Sequence, residues 1–564
     1  MKKWLSYFFL FLLIFSFVFR TLILHLSDNL LDWNDYPVFV WIIFQNIEKI
    51  LNFQFSTFFN TNAFYPHPNT LLFSETFLTQ SLIGIPFTLV LHNPVLIFNL
   101  IFIITFCLNY FSTFIFWKLI FKRDYLAFLG SIFTIFSPFF HLEHGHFQML
   151  SYWPFFFCLY FLFKIELENK KNAFFTGLFL AIQFLASIYL SFFLIFAILI
   201  FFIIEAVSKK KFSQVIESSF LIFLVFFLIS GIFIKGYFDT KRIYKIHRNP
   251  NEYIQYSAEV SDYLFTSPIN SLIHKTKIIQ NWNSLNKNYS IEKSSFPGFL
   301  LLVLSLFGLV YFFRKKTISK SRVEFIFFIT LTFFGIYFSL GPRLVFNGKY
   351  IGIPLVPYYF MVKFLPVFDS IRVPTRWSFL FYFGLIYFSL TFLANLKARQ
   401  NFLLIAIFVF FILEYLPFDI QTHKENYINN QYSIIKNICS QKKQVLLEIP
   451  VTHLSADNST QEGLNYISKV ELASLYHQCY IINGYSGYDL PSLFEFPKEL
   501  DSIALEENVD KFYKILKDKQ INLLKINFNM LPKGSKDAYK LLTENIEKDQ
   551  RFQKLGSYLY LVKY

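Results

Sequence analysis

Long apolar segments separated by short polar ones make up most of the chain. A bilayer core about 30 Å thick needs about 20 helical residues, so each such segment predicts a membrane-spanning helix. The part at 173–205 is short for two spans, and a tight turn at 187–191 would allow both. Eleven spans are predicted, at 4–26, 95–117, 125–140, 147–163, 173–188, 190–205, 217–235, 297–313, 323–340, 376–394 and 402–418.

The stretch 71–91 is apolar enough for a further span, but it contains Glu75, Gln80 and Pro86. Counting it as a span would invert every later loop. We therefore predict a helix that lies on, or dips into, the outer membrane surface, and the sequence leaves its crossing open. If this stretch is not counted as a span, the predicted topology satisfies the positive-inside rule. The cytoplasmic side then carries the basic residues at 2–3, 118–123, 164–171, 209–211, 314–316 and 397–399.

The composition agrees with an integral membrane protein. Of 564 residues, 55% are hydrophobic, 22% are aromatic and only 16% are charged. A soluble protein is about a quarter charged, and a disordered chain lacks such apolar content. The net charge of +15 would favour nucleic acid in a soluble protein, but much of it lies in predicted cytoplasmic loops. No nucleic-acid partner is predicted.

The chain beyond residue 418 has no long apolar run. It alternates helical segments such as 509–517 with short β-rich ones. This alternation predicts a small α/β domain. The β-rich segments are 445–451, 479–482, 521–526 and 557–562.

Two domains are therefore predicted, a transmembrane domain at 1–418 and an extracytoplasmic α/β domain at 419–564, with a cytoplasmic N-terminus. Cys439 and Cys479 lie in the second domain, and the sequence leaves open whether they form a disulfide. The first domain has three long outer loops, at 27–94, 236–296 and 341–375.

Two carboxylates, Asp32 and Asp35, occur in the sequence DWNDYP, shortly after the first span. The segment 38–52 that follows is amphipathic and predicts an interfacial helix. A carboxylate at this depth is placed to act as general base towards a lipid-phosphate substrate. The alternative is that the two aspartates cap the start of the helix.

A second polar motif, HLEHGHFQ, follows the third span. Its Glu143, His144 and His146 could bind a divalent metal ion or hydrogen-bond a phosphate, since both need clustered polar side chains. The spacing differs from that of a zinc protease, and the alternative is an ordinary polar turn at the interface. We favour His144 and His146 as site-facing residues, with the metal unknown.

Arg372 and Arg376 lie four residues apart directly before the tenth span, on the predicted outer side. Their guanidinium groups suit phosphate oxygens, and basic residues on this side are otherwise disfavoured. The alternative is that they anchor the helix by reaching towards lipid headgroups.

The chain resembles the GT-C superfamily of membrane glycosyltransferases, and more closely a large branch of many-spanning bacterial proteins of that type. The resembling motifs occur in order along nearly the whole chain. They are DYPVFVW, FYPHPNTLLFSETFLTQ, HNPVLIFNL, GHFQML, IPLVPYYFMVKFLPVFDSIRVPTRW and INGYSGYDLP.

The resemblance implies that an acidic residue on the first outer loop is the catalytic base and that the donor is a sugar on a polyprenyl phosphate. Asp35 fits the base, with Asp32 as second choice, and Glu75 and the arginine pair match group positions. Many GT-C enzymes carry a second acidic pair on the second outer loop. Here only Glu143 stands there among histidines, which puts a metal requirement in question.

We therefore expect a polytopic α-helical membrane protein, GT-C-like with about eleven spans and an extracytoplasmic α/β domain. It would be an inverting hexosyl- or pentosyltransferase of the cell envelope (EC 2.4 class). Its expected partners are a polyprenyl-phosphate-linked sugar and a glycan, lipid or protein acceptor, and a divalent metal ion is a possible cofactor. The alternative is a non-enzymatic transporter or assembly factor for lipid-linked glycans.

Overall fold

The computed structural model consists mainly of helices. It describes residues 2–32, 34–165, 170–209, 212–247, 250–266, 272–285, 293–314, 319–354, 356–364, 371–396, 401–417, 420–424, 428, 430–452, 461–488 and 490–564. The chain forms two compact units. Unit 1 comprises Met1–His25, Leu100–Ile232 and His247–Gln421, and unit 2 comprises Leu26–Asn99, Phe233–Ile246 and Thr422–Tyr564. The predicted domain boundary after residue 418 lies outside the described residues and stays a prediction.

Each of the eleven predicted spans coincides with helix. Up to residue 415, the α-helices are Lys2–Val18, Arg20–Leu24, Tyr36–Leu51, Leu78–Thr88, Pro94–Phe121, Asp124–Ile135, Pro138–Glu143, Trp153–Leu162, Lys170–Ala186, Ile188–Lys209, Phe212–Tyr244, Pro250–Gln255, Lys277–Asn283, Phe299–Arg314, Ser319–Ser339, Val356–Phe364, Ser378–Ala394 and Asn401–Tyr415. Short 3₁₀ turns lie at Phe55–Thr57, Thr70–Phe73, Phe147–Leu150, Val260–Tyr263 and Pro374–Trp377.

The apolar helices indicate a membrane protein. Among the described residues, six helices are long and apolar enough to cross a bilayer, and four predicted spans fall on shorter apolar helices. Lys170–Ala186 belongs to neither set, and Ser187 alone separates it from Ile188–Lys209. The number of crossings and the side of each terminus therefore stay predictions.

The stretch 71–91 is not one helix, contrary to the prediction. The backbone is extended at Ser74 and left-handed at Phe77, with φ of 50°, so only Leu78–Thr88 is α-helical. Eleven residues of α-helix reach only about 16 Å, roughly half the thickness of a bilayer core. This helix is too short to cross a membrane by itself.

The helix Tyr36–Leu51 lies in the predicted amphipathic segment, but the prediction of a polar face at the interface is wrong for part of it. Gln45 and Asn46 are buried. The Asn46 amide donates to the Thr76 carbonyl at 2.6 Å and to the Ser81 hydroxyl at 2.9 Å. Gln45 and Asn46 thus lie inside unit 2, and Asn46 contacts the start of Leu78–Thr88.

Unit 1 is organised around the helix Ser378–Ala394, which is buried over most of its length. A Cβ atom on Gly308 would overlap the Phe388 carbonyl oxygen, so glycine allows Phe299–Arg314 to approach this helix closely. Such close approach over small residues is typical of membrane helices. Aromatic rings fill the remaining space, as where Phe328 stacks on Tyr387 with centroids 4.0 Å apart.

In unit 2, a five-stranded sheet and surrounding helices form the core. Tyr480–Ile481, Val445–Ile449 and Leu523–Ile526 are parallel in that order, followed by the antiparallel strands Leu559–Val562 and Phe552–Gly556. Four of these strands lie in the predicted β-rich segments, and Phe552–Gly556 is additional. The helices here are Asn430–Gln441, Gln461–His477, Pro491–Leu505, Val509–Asp518 and Lys533–Ile546, with a 3₁₀ turn at Phe528–Met530.

Two short strand pairs complete the structure. Asn29–Leu30 pairs with His423–Lys424 in unit 2, and Arg343–Phe346 pairs with Lys349–Pro354 in unit 1.

A disulfide joins Cys439 to Cys479, with the two Cα atoms 5.4 Å apart. It ties the helix Asn430–Gln441 to the start of the strand Tyr480–Ile481. The pairing that the sequence left open is therefore present.

Candidate functional site

The two aspartates of DWNDYP have different structural roles. The Asp32 carboxylate accepts the backbone N–H groups of Asn34 at 3.1 Å and Asp35 at 3.2 Å, and so orders the turn before the helix. Asp35 starts the helix Tyr36–Leu51 with its backbone, because its carbonyl accepts the Phe39 N–H at 3.0 Å. The Asp35 carboxylate makes no capping hydrogen bond. Capping therefore does not account for this side chain.

The Asp35 carboxylate instead accepts a hydrogen bond from the Tyr485 hydroxyl, with Tyr485 Oη and Asp35 Oδ1 3.2 Å apart. Both side chains are half-buried. The neighbouring Tyr36 is fully buried, and burial, together with the charges of Asp32 and Asp35, raises its pKa well above the ordinary value. Tyr36 thus stays a neutral phenol beside two carboxylates.

The loop that carries Tyr485 follows the strand Tyr480–Ile481 and is fixed by a buried carboxyl group. Glu471 Oε1 accepts the Tyr485 N–H at 2.7 Å. Burial raises the pKa of Glu471 well above its ordinary value, although the hydrogen bond from Tyr485 acts in the opposite direction. We refer to Asp32, Asp35, Glu471 and Tyr485 as the Asp35 group. The sequence predicted the two aspartates but gave no role to Glu471 or Tyr485.

Three motifs of the sequence meet in this part of unit 2. The Phe64 N–H donates to the Asn483 carbonyl at 3.1 Å, and the Gly487 N–H donates to the Phe73 carbonyl at 3.0 Å. The segments around DYPVFVW, FYPHPNTLLFSETF and INGYSGYDLP are thus neighbours. Glu75 is half-buried, and the carbonyl of the adjacent Ser74 accepts the Tyr237 hydroxyl at 2.8 Å.

In unit 1, Arg376 forms a buried ion pair with Glu143. Arg376 Nε lies 3.2 Å from both carboxylate oxygens. Only 7% of the arginine side chain and 3% of the glutamate side chain are exposed, so bulk water is almost excluded. His146 Nδ1 lies 3.1 Å from the same carboxylate. The Arg376 guanidinium also covers the Tyr189 ring at 4.8 Å. We call Glu143, His146, Tyr189 and Arg376 the Arg376 group.

Arg372 has a more open environment than Arg376. Its side chain is half-buried, and its guanidinium lies over the Tyr256 ring at 4.9 Å. The Tyr189 hydroxyl accepts the Arg372 N–H at 2.9 Å, which links this residue to the Arg376 group. The sequence did not point to either tyrosine, because no pattern connects them to the arginines.

The three histidines of HLEHGHFQ make separate contacts. His141 Nε2 lies 2.7 Å from the Tyr415 carbonyl, and His144 Nδ1 lies 2.9 Å from the His141 carbonyl. In the described part of the chain, no three His, Cys, Asp or Glu residues are arranged to hold a metal ion. These residues therefore do not fit a metal centre of three or more such ligands.

Comparison with known proteins gives a family for the chain. A family model described as a domain of unknown function, DUF6311, matches residues 7–414. The chain belongs to the DUF6311 family. The matched range includes Asp32, Asp35, Glu143 and the arginine pair, whereas Glu471 and Tyr485 lie beyond its end. No curated protein matches this DUF6311 member.

One similar solved structure is the single-particle cryo-EM structure of the arabinofuranosyltransferase AftD from Mycobacteria. The TM-score is 0.53 at 10% sequence identity. The similarity covers 95% of this DUF6311 member and 38% of the AftD chain. The two proteins thus share a fold, and this chain spans well under half the length of the enzyme.

Proposed function

We propose that this protein is a membrane glycosyltransferase of the GT-C type. It would transfer a sugar from a polyprenyl-phosphate donor to an acceptor hydroxyl on the outer face of the membrane, with inversion at the anomeric carbon. The fold shared with an arabinofuranosyltransferase and the ordered GT-C motifs support a transferase. The distribution of basic residues supports the side of the membrane.

The observation that carries this proposal is the placement of Asp35. Its carboxylate lies at the N-terminal end of a helix, where negative charge is favoured, and makes no capping hydrogen bond there. It is half-buried and receives the Tyr485 hydroxyl. A general base needs an ionisable group held in one orientation within reach of the substrate proton. Asp35 is ionisable and is oriented by the Tyr485 hydroxyl, whereas the Asp32 carboxylate is engaged by two backbone amides.

In the proposed step, the Asp35 carboxylate takes the proton of the acceptor hydroxyl. The acceptor oxygen forms a bond to the anomeric carbon while the bond from that carbon to the phosphate oxygen breaks on the opposite face. The electron pair of the broken bond leaves with the polyprenyl phosphate. Because this leaving group is already a weakly basic anion, it needs charge stabilisation rather than a general acid.

Arg372 is the better candidate of the two arginines for the donor phosphate. Its guanidinium is half-buried over an aromatic ring, whereas Arg376 is engaged by Glu143 in a buried pair. We assign Arg376 to supporting the loop that carries Arg372. His144 and His146 remain candidates for contacts to the same phosphate.

The test is transfer by the purified full-length protein in lipid nanodiscs. Polyprenyl phosphates carrying radiolabelled pentoses or hexoses serve as donors, and membrane extract supplies acceptors. We expect release of polyprenyl phosphate and a labelled product whose anomeric configuration, determined by NMR, is opposite to that of the donor.

Asp35→Asn should lower the rate at which label enters the product about 10³-fold, and Asp28→Asn on the same loop is the matched control. If the wild-type protein consumes no donor, the proposal of a transferase is wrong, and the alternative of a transporter or assembly factor is favoured. Retention of the anomeric configuration would contradict the single-step inversion.

A further inference from the structure

We propose that Tyr485 is a positioning residue for the base Asp35, and that the helix Gln461–His477 fixes the pair from both sides. This inference rests on the proposed function for the role of Asp35. It adds a residue from the C-terminal part of the chain, beyond the range that the family model matches.

The hydrogen bond between Tyr485 and Asp35 is the first observation. It joins residues 450 positions apart at 3.2 Å, with the hydroxyl as donor and the carboxylate as acceptor. A hydrogen bond from a neutral donor to a carboxylate favours the ionised form and restricts its orientation. Both effects serve a base that must be ionised before it can take a proton.

The helix Gln461–His477 contacts both loops of this pair. The Ser468 hydroxyl donates to the Asn34 carbonyl at 2.6 Å, immediately before Asp35. Glu471 Oε1 accepts the Tyr485 N–H at 2.7 Å. Ser468 and Glu471 are three residues apart, so they lie on one face of the helix. Both are fully buried. One rigid element thus sets the distance between the two loops.

The loop that carries Tyr485 is also fixed at its start. The Asn483 amide donates to the carbonyls of Glu448, Pro450 and Val451 at 2.8, 3.3 and 3.1 Å. Its side-chain oxygen accepts the Glu448 N–H at 2.9 Å. Tyr485 follows two residues later. Its backbone is therefore held by Asn483 on the N-terminal side and by Glu471 at its own N–H.

Glu471 has an unusual environment for a purely structural carboxyl group. Its Oε2 is buried and has no hydrogen-bond partner among the described residues. Burial raises its pKa, which favours the neutral acid at this position. The ionisable groups near Asp35 include Asp32, Tyr36 and Tyr485, and the Glu471 carboxyl group accepts the Tyr485 N–H.

The decisive variant is Tyr485→Phe, which removes only the hydroxyl. We expect kcat/KM of transfer to fall about tenfold, because an oriented hydrogen bond to a charged group is lost. The acidic limb of the pH profile should move up by about one pH unit, since Asp35 loses a donor that favours its ionised form. Tyr488→Phe in the same loop should leave both unchanged.

Glu471 provides a second test. Glu471→Leu removes the acceptor of the Tyr485 N–H, whereas Glu471→Gln keeps an oxygen in place. We expect the leucine variant to show the same shift in the pH profile as Tyr485→Phe. The glutamine variant should have a pH profile close to that of the wild-type protein. An equal decrease of kcat/KM in the two variants, without a change in the pH profile, would indicate that Glu471 has a general packing role and would overturn the inference.

A readout without transfer activity separates this inference from the proposed function. Carbodiimide modification of Asp35, followed by peptide mass spectrometry, reports the pH at which the carboxyl group becomes protonated. Tyr485→Phe should raise that midpoint by about one pH unit. An unchanged midpoint overturns the positioning role, even if the wild-type protein transfers sugar. A raised midpoint supports it, even if no donor is consumed.

Discussion

The Asp35 group and the Arg376 group each contain charged residues that the sequence marked as candidates, but the structure uses those charges differently. Arg376 and Glu143 neutralise each other in a pair with less than a tenth of either side chain exposed. Asp35 is half-buried, and its carboxylate accepts a hydrogen bond from the neutral Tyr485 hydroxyl. A charge paired inside the protein mainly maintains structure, whereas a charge with a neutral donor keeps its capacity to take a proton. The same kind of motif therefore supports two different roles.

The largest effect is expected at Asp35. Asp35→Asn should lower the transfer rate about 10³-fold, because general-base catalysis typically contributes 10²- to 10⁴-fold. Asp32→Asn should cost much less, about tenfold, since an amide oxygen can still accept the two backbone N–H groups. Steady-state rates with the radiolabelled donor measure both. Similar losses in the two variants would remove the distinction between the aspartates.

Substitutions in the Arg376 group should mainly change the stability of the protein. Glu143→Leu removes the carboxylate from a buried guanidinium and should lower the free energy of unfolding by about 3–5 kcal/mol. Combining it with Arg376→Met should recover most of that loss, because two apolar side chains replace two charges. Chemical unfolding in detergent measures these values. Glu506→Ala breaks the exposed pair with Lys511 and should cost only about 0.5 kcal/mol. If the double variant recovers stability but loses all transfer, Arg376 acts on the substrate instead.

The disulfide should stabilise the unit that contains the Asp35 group. Replacing Cys439 and Cys479 by serine should lower the free energy of unfolding by about 4 kcal/mol, as expected for a disulfide that joins residues 40 positions apart. Chemical unfolding of the variant, and of the wild-type protein with reductant, should give the same decrease. Cys107→Ala removes a free thiol of unit 1 and serves as the control. An equal decrease in the control would mean that the bond has no specific effect.

The smallest effect is expected at Arg372. Arg372→Ala should raise KM for the donor about tenfold, by loss of one charge-assisted contact to phosphate. Arg372→Lys should recover only part of it, because an ammonium group cannot reproduce the planar fork. Arg343→Ala, an exposed arginine of the same unit, is the control. An unchanged KM in Arg372→Ala would indicate that another residue contacts the phosphate, and His144 and His146 would be the next candidates.

The positions of the long helices could be predicted because an apolar run of this length has few alternatives in a membrane protein. The segment 71–91 could not, because its interruption depends on the backbone at Ser74 and Phe77, which composition does not determine. Gln45 and Asn46 show the same limit. Their polarity suggested the interface, but both side chains are buried, and Asn46 donates hydrogen bonds to the Thr76 carbonyl and the Ser81 hydroxyl.

For the candidate site, the sequence predicted residues within single motifs but not the contacts between motifs. Asp35 follows from its place after the first span, and the arginines follow from their position against the charge rule. The partners of these residues are distant in sequence, as Glu143 is from Arg376, and no local pattern connects them. A polar, tyrosine-containing loop after a buried strand is the one signal that could have pointed to Tyr485.

The separation of Asp35 and Tyr485 has a consequence for biosynthesis. Asp35 leaves the ribosome early, but its hydroxyl partner is 450 residues further along the chain. Chains grow and fold from the N-terminus at about 5–20 residues per second, so the carboxylate waits for tens of seconds before its partner is made. During that time the nascent protein lacks the complete Asp35 group. A chain that stops before residue 485 would insert its apolar helices without ever completing this group.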